Sequence, residues 1–207
     1  MQDFEDEDQQ LEAFKKWWKE NGQSLVIGVV LGASALFGWR EYTAYQLEHT
    51  QTASDLYNVV AIQSMQNSFT DVNKLEQLKD EFADTPYPVM AAMAVARYYH
   101  DKGDVDQAVV ELEWARSNTD VEEMMHLASL RLATIHLSRE DYDAARALLE
   151  VEYPEAFLMR YEELRGDLFL AEGDKEKAKM AYDKAVESES GVSVNPLLNL
   201  KRLSLGS

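Results

Sequence analysis

The stretch "GDLFLAEGDKEKAKMAYDKA", Gly166–Ala185, decides the fold. It opens on a small residue, turns at Gly173-Asp174, and continues through Ala178, Tyr182 and Ala185 at helical spacing. Gly173 suits the left-handed conformation that ends a helix. Asp174 stands where a side-chain oxygen caps the next helix. The pattern predicts a hairpin of two helices, with Gly166 and Ala178 small where the helices meet.

Two upstream segments align with it. "ARYYHDKGDVDQAVVELEWA" spans Ala96–Ala115, and "ATIHLSREDYDAARALLE" spans Ala133–Glu150. Asp104 and Asp141 repeat the capping position, and Gly103 repeats the turn glycine, whereas Glu140 stands in its place in the middle unit. The aligned alanines, Ala108, Ala145 and Ala178, are 37 and 33 residues apart. That period resembles the 34-residue tetratricopeptide repeat. A fourth, poorer unit is expected at 52–86, ending in "DTPYP". Pro86, Pro88, Pro154 and Pro196 are read as helix stops.

Such units cannot bury their apolar faces alone, so they stack into a curved solenoid whose first helices line an inner groove. By analogy with the repeat, the groove positions are Met90, Met93, Arg97, His100, Leu130, Thr134, Arg160, Glu163 and Asp167. A mixed lining with adaptable Met side chains suits extended or partly unfolded peptides. The other tyrosines, leucines and methionines at helical spacing are read as core.

The N-terminal part differs. Nineteen residues without a charge lie between Glu20 and Arg40. As a helix they span about 28 Å, against a hydrocarbon core of roughly 30 Å. Trp17 and Trp18 precede the run, and Trp39, Tyr42 and Tyr45 follow it, as interfacial aromatic belts do. A buried core helix would show a polar face, and this run has only Ser24 and Ser34. A cleaved signal at Ala33-Ser34-Ala35 would follow a long, acidic start, "MQDFEDEDQQ", unlike a compact basic leader. An uncleaved anchor over 24–40 fits best.

Lys15, Lys16 and Lys19 precede the span. After Arg40 no Lys or Arg appears until Lys74. The positive-inside rule then places 1–23 in the cytoplasm and 41–207 across the membrane, in the periplasm of a bacterium. "LEAFKKWWKENG" reads either as a short amphipathic helix on the cytoplasmic leaflet or as an extension of the membrane helix. Within the span, Gly28 and Gly32 form a GxxxG pattern, and Ser34 and Gly38 continue the small-residue spacing. Small residues four apart let another helix approach closely in lipid.

Residues 41–207 hold 16 Lys+Arg against 31 Asp+Glu, so bare nucleic acid is not an expected partner. The absence of Cys excludes disulfides and thiolate chemistry. His49, His100, His126 and His136 do not fall at ligand spacing. No nucleotide loop, nucleophile elbow or nucleophile–base set is readable, so neither enzyme activity nor a cofactor is expected.

"KENGQSLVIGVVLGASALFGWR" together with "LRGDLFLAEGDKEKA" resembles the YfgM-type ancillary subunits of the bacterial SecYEG translocon. The resemblance covers essentially the whole chain. It implies a single-pass inner-membrane protein with a periplasmic domain, in contact with SecYEG and with a membrane-anchored chaperone of the prolyl-isomerase class (PpiD). The expected fold is all-α: one N-terminal transmembrane helix followed by a tetratricopeptide-like solenoid. The expected function is a non-enzymatic adaptor that passes newly exported polypeptides to periplasmic chaperones. The alternative is a scaffold for another envelope machine, such as cell-wall synthesis or division.

Overall fold

A computed structural model describes the backbone of residues 2–188 and 196–205, with side chains from residue 11 onward. Among the described residues every regular element is a helix. They are α1 (Gln2–Met65), α2 (Val72–Glu81), α3 (Tyr87–Asp101), α4 (Val105–Ser117), α5 (Glu122–Ser138), α6 (Tyr142–Leu149), a 3-10 turn (Glu155–Phe157), α7 (Leu158–Ala171), α8 (Lys175–Glu187) and α9 (Pro196–Ser204). The chain divides into two compact units, Met1–Gln51 and Thr52–Ser207.

In the second unit the helices pair as α3/α4, α5/α6 and α7/α8, each pair also packed on the next. One turn geometry builds all three hairpins. Gly103, Glu140 and Gly173 have positive φ, at 82°, 61° and 86°. The amide after each reaches back five residues: Asp104 to the Tyr99 carbonyl, Asp141 to His136 and Asp174 to Phe169, each at 2.9 Å. This is the Schellman closure, which satisfies the last helical carbonyls. The same aspartates then cap the next helix, accepting from the amides of Gln107 at 3.3 Å, Ala144 at 3.4 Å and Lys177 at 3.1 Å. Glu140 thus takes the left-handed turn without being glycine, which costs an L-residue about 1 kcal/mol.

The fourth unit follows the same plan with different residues. Asn67 has φ 57° and ends α1, and the Ser68 amide reaches the Gln63 carbonyl at 2.9 Å. The side chain of Asp71, before α2, makes no capping bond and instead receives Gln63 and Lys74.

The small residues sit where the hairpins close. Ala96, Ala108, Ala133, Ala145, Gly166 and Ala178 are all buried. At Gly166 the ring of Tyr182 lies so near that an added Cβ would stand 2.3 Å from it. Four clusters carry the core in sequence along the repeats, and the last is closed by Leu198 from α9, packed with Ala178, Tyr182 and Ala185. The expected all-α repeat fold is the observed one. The prolines, however, begin helices instead of stopping them. Pro86 caps α3, Pro88 lies in its first turn, Pro154 precedes the 3-10 turn and Pro196 opens α9. At those positions the missing N–H would have had no helical partner anyway.

In the first unit the helix runs unbroken through "LEAFKKWWKENG" and the charge-free run, so the former is an extension of the latter. Among the described residues one helix, with mean hydropathy 1.5 over its most apolar window, is long and apolar enough to cross a membrane. Only 6% of that window is buried. Phe14 stacks against Trp17 and Trp18 at one end, and Trp39 packs near Tyr42 at the other.

Candidate functional site

The groove arises because the first helix of each repeat presents a stripe at i, i+3, i+4 and i+7. On α5 the stripe is Leu127, Leu130, Arg131 and Thr134, and it lines one pocket with Arg160, Glu163 and Leu164 of α7. Next to it, Arg131 and Thr134 line a second pocket with Met93, Arg97 and His100 of α3. A third is formed by Met90, Met93, Arg97 and Arg131 with Tyr57, Met65 and Asn67. Arg131 is common to all three, so the pockets form one continuous groove.

Eight of the nine groove positions named from the sequence line it. Met93 and Leu130 are nearly buried and form its apolar floor. Arg97, His100, Thr134 and Arg160 are exposed along it. Asp167 is placed differently. It accepts the Tyr182 hydroxyl at 2.7 Å and Lys201 at 2.8 Å, and Lys201 also reaches Glu163 at 2.9 Å. The α9 lysine thus occupies the acidic end of α7. Burial works against the Lys201 charge, but Asp167 and Glu163 outweigh it and hold its pKa above the ordinary lysine value.

Arg131 is the residue that sequence reasoning missed. It lies one position after Leu130 and four after Leu127, so the stripe spacing itself would have found it. Its guanidinium reaches the Met93 carbonyl at 3.5 Å. Burial, then the charges of Arg97 and Arg160, push its pKa down.

Other polar groups fix the helices around the groove. His126 is buried with Nδ1 at 2.7 Å from the Tyr161 hydroxyl. Glu162, also buried, receives Tyr153 at 2.6 Å, Lys184 at 2.6 Å and Arg165 at 3.1 Å. Burial raises the Glu162 pKa, yet Lys184, Tyr153 and Arg165 together bring it below the usual glutamate value. No cluster suited to a metal ion occurs among the described residues.

On the membrane helix, a Cβ added at Gly28, Gly32 or Gly38 meets nothing within 4 Å. At about 100° per residue, Gly28 and Gly32 share one face, and Ser34 and Gly38 lie roughly a third of a turn away. The four small residues therefore form two pairs on two faces.

Repeat hairpins and an N-terminal apolar helix define a membrane-anchored protein of the tetratricopeptide class. Residues 15–207 match the family described as a tetratricopeptide repeat-like domain. Three similar proteins are each called "Ancillary SecYEG translocon subunit". The one from Escherichia coli (strain K12) is 28% identical over 97% of both chains. The one from Haemophilus influenzae is 30% identical over 89% of this chain and 91% of its own. The one from Neisseria gonorrhoeae is 29% identical over 97% of both. The chain belongs to this family of ancillary translocon subunits with a tetratricopeptide repeat-like domain. No solved structure matches it.

Proposed function

We propose that the protein is a membrane-anchored adaptor of the Sec translocon that takes newly exported polypeptides in its repeat groove and passes them to periplasmic chaperones, a membrane-anchored prolyl isomerase of the PpiD class among them. The observation that carries this reading is the continuous groove of Met93, Arg97, Arg131, Thr134 and Arg160 in a chain whose relatives are named for the translocon. A groove with an apolar floor and hydrogen-bonding walls suits extended chain, which offers both kinds of group. The orientation follows from Lys15, Lys16 and Lys19: the N-terminus lies in the cytoplasm of a bacterial inner membrane, and the repeats lie in the periplasm.

The span and the repeats divide the work. Gly28 and Gly32 give a flat helix face on which a translocon helix packs, with Ser34 and Gly38 as a second such face. The test is native co-purification with translocon subunits. Replacing Gly28 and Gly32 by Leu is expected to lose the translocon while leaving the repeats folded by circular dichroism. Full recovery of the complex with the leucine pair refutes the packing role.

A further inference from the structure

We propose that the groove docks an extended acidic segment of a polypeptide, held by Arg97, Arg131 and Arg160 from three successive first helices. The proposal deepens the reading above by naming the chemistry of the segment, and it rests on the groove being a peptide site.

Residues 41–207 carry 31 acidic side chains and only 16 Lys+Arg, yet three arginines converge on this one surface. Among the described residues neither Arg131 nor Arg160 has an ion pair, and Arg97 reaches Asp101 only at 3.7 Å. The acidic groups along the groove are already engaged. Lys201 holds Glu163 and Asp167, and Asp101 is shared with His100 at 3.6 Å. Arg131 is therefore flanked by Arg97 and Arg160 along one groove and has, among the described residues, no ion pair of its own. The depressed pKa of Arg131 reports the same crowding, after the effect of burial. An incoming carboxylate relieves it, and the planar guanidinium fork binds carboxylate through two parallel hydrogen bonds.

A peptide fits better than another anion. Met90, Met93 and Leu130 supply an apolar floor that a polyphosphate backbone does not use. The acidic surface of the rest of the chain would repel a polyanion running beyond the groove. A polypeptide offers a few carboxylates between apolar side chains.

The test is fluorescence anisotropy with the full chain in detergent micelles. The probes are a fluorescein-labelled Glu-Leu-Gly-Ser repeat peptide and its Lys-Leu-Gly-Ser and Gln-Leu-Gly-Ser counterparts. The Glu peptide is expected to bind about tenfold tighter than either, in line with charge-assisted hydrogen bonds. Arg131→Gln and Arg160→Gln should each weaken it about tenfold. Arg139→Gln, whose partner Asp106 at 2.8 Å lies outside the groove, should not. Should loss of the Arg131 contact to Met93 disturb folding, Arg160→Gln carries the test, since among the described residues that side chain makes no hydrogen bond. Equal binding of the three peptides overturns the acidic preference but leaves the groove a peptide site. Binding of none of them overturns both readings. Displacement of the Glu peptide by phosphatidylglycerol vesicles or a short RNA, lost in Arg160→Gln, assigns the groove to another anion and overturns the proposal. Binding of the Glu peptide as expected, with no exported chain found at the groove in cells, sustains it while removing the hand-off role.

Discussion

In the unit Met1–Gln51, α1 leaves Leu31 at 65% and Phe37 at 66% exposure, whereas Tyr161 and Tyr182 in Thr52–Ser207 have none. Both regions are built of α-helix, and both are rich in apolar residues. The difference lies in which partner covers those residues. In the repeats, the helices bury apolar residues against their neighbours, α3 and α5 each in two clusters, and small residues at Ala96, Ala133 and Gly166 let the backbones approach. In the charge-free run of the first unit, apolar side chains lie all round the helix and are left exposed, the pattern that belongs to a helix whose solvent is lipid. Glycine shows the same contrast. Gly166 is pressed against Tyr182, and Gly28 and Gly32 face open space. The first is already used in packing, and the others are free for it.

Removing a core ring should break the repeats and spare the anchor. Tyr161 stacks on Tyr153 with centroids 4.4 Å apart and hydrogen-bonds His126. Tyr161→Ala is expected to cost about 4 kcal/mol in urea unfolding, with membrane insertion unchanged. The reverse change is Leu31→Arg, which places a charge near the middle of the span. It should raise the cost of insertion by about 3 kcal/mol, seen as protein lost from the carbonate-resistant membrane fraction, while the melting of the repeats stays the same.

The two kinds of glycine give a finer comparison. Gly166→Ala should destabilise the repeats by about 2 kcal/mol through overpacking against Tyr182. Gly28→Ala should leave their unfolding curve unmoved.

A pH-dependent effect is expected in the repeats. Glu162 has its folded pKa lowered, so its contribution is present above the ordinary glutamate value of about 4.3. It is lost as pH falls through the lower folded value. Acid unfolding followed by circular dichroism should show this loss, and Glu162→Gln should flatten that limb. The smallest change expected is a gain. Glu140→Gly relieves the left-handed turn between α5 and α6 and should stabilise by about 0.5 kcal/mol; a loss on thermal melting would contradict the turn assignment.

Much of this was legible in the sequence for a physical reason. Turn glycines, capping aspartates and small closing residues are local signals at fixed offsets, so Gly103, Asp104, Ala108 and their repeats could be aligned by eye. The charge-free run was legible because bilayer thickness fixes its length. Other features depend on packing across elements. Glu140 aligns with the turn glycines but its identity does not announce a positive φ, and Asn67, which tolerates one, lies in the poorer fourth unit. Asp167 has groove spacing, but the sequence does not reveal that Lys201, 34 residues later, returns to claim it. Arg131 is legible as a stripe residue, four after Leu127, but that it shares a groove with Arg97 and Arg160 follows only from α3 and α7 packing beside α5.

The most direct test of the division between anchor and groove is paired photocrosslinking in intact cells during export of a stalled substrate. One crosslinker replaces Val29 in the span, and the other replaces Thr134 in the groove. The account predicts translocon subunits at Val29, and the exported chain or its chaperone at Thr134. Recovery of the same translocon subunit from both positions, with no exported chain or chaperone at Thr134, would contradict it.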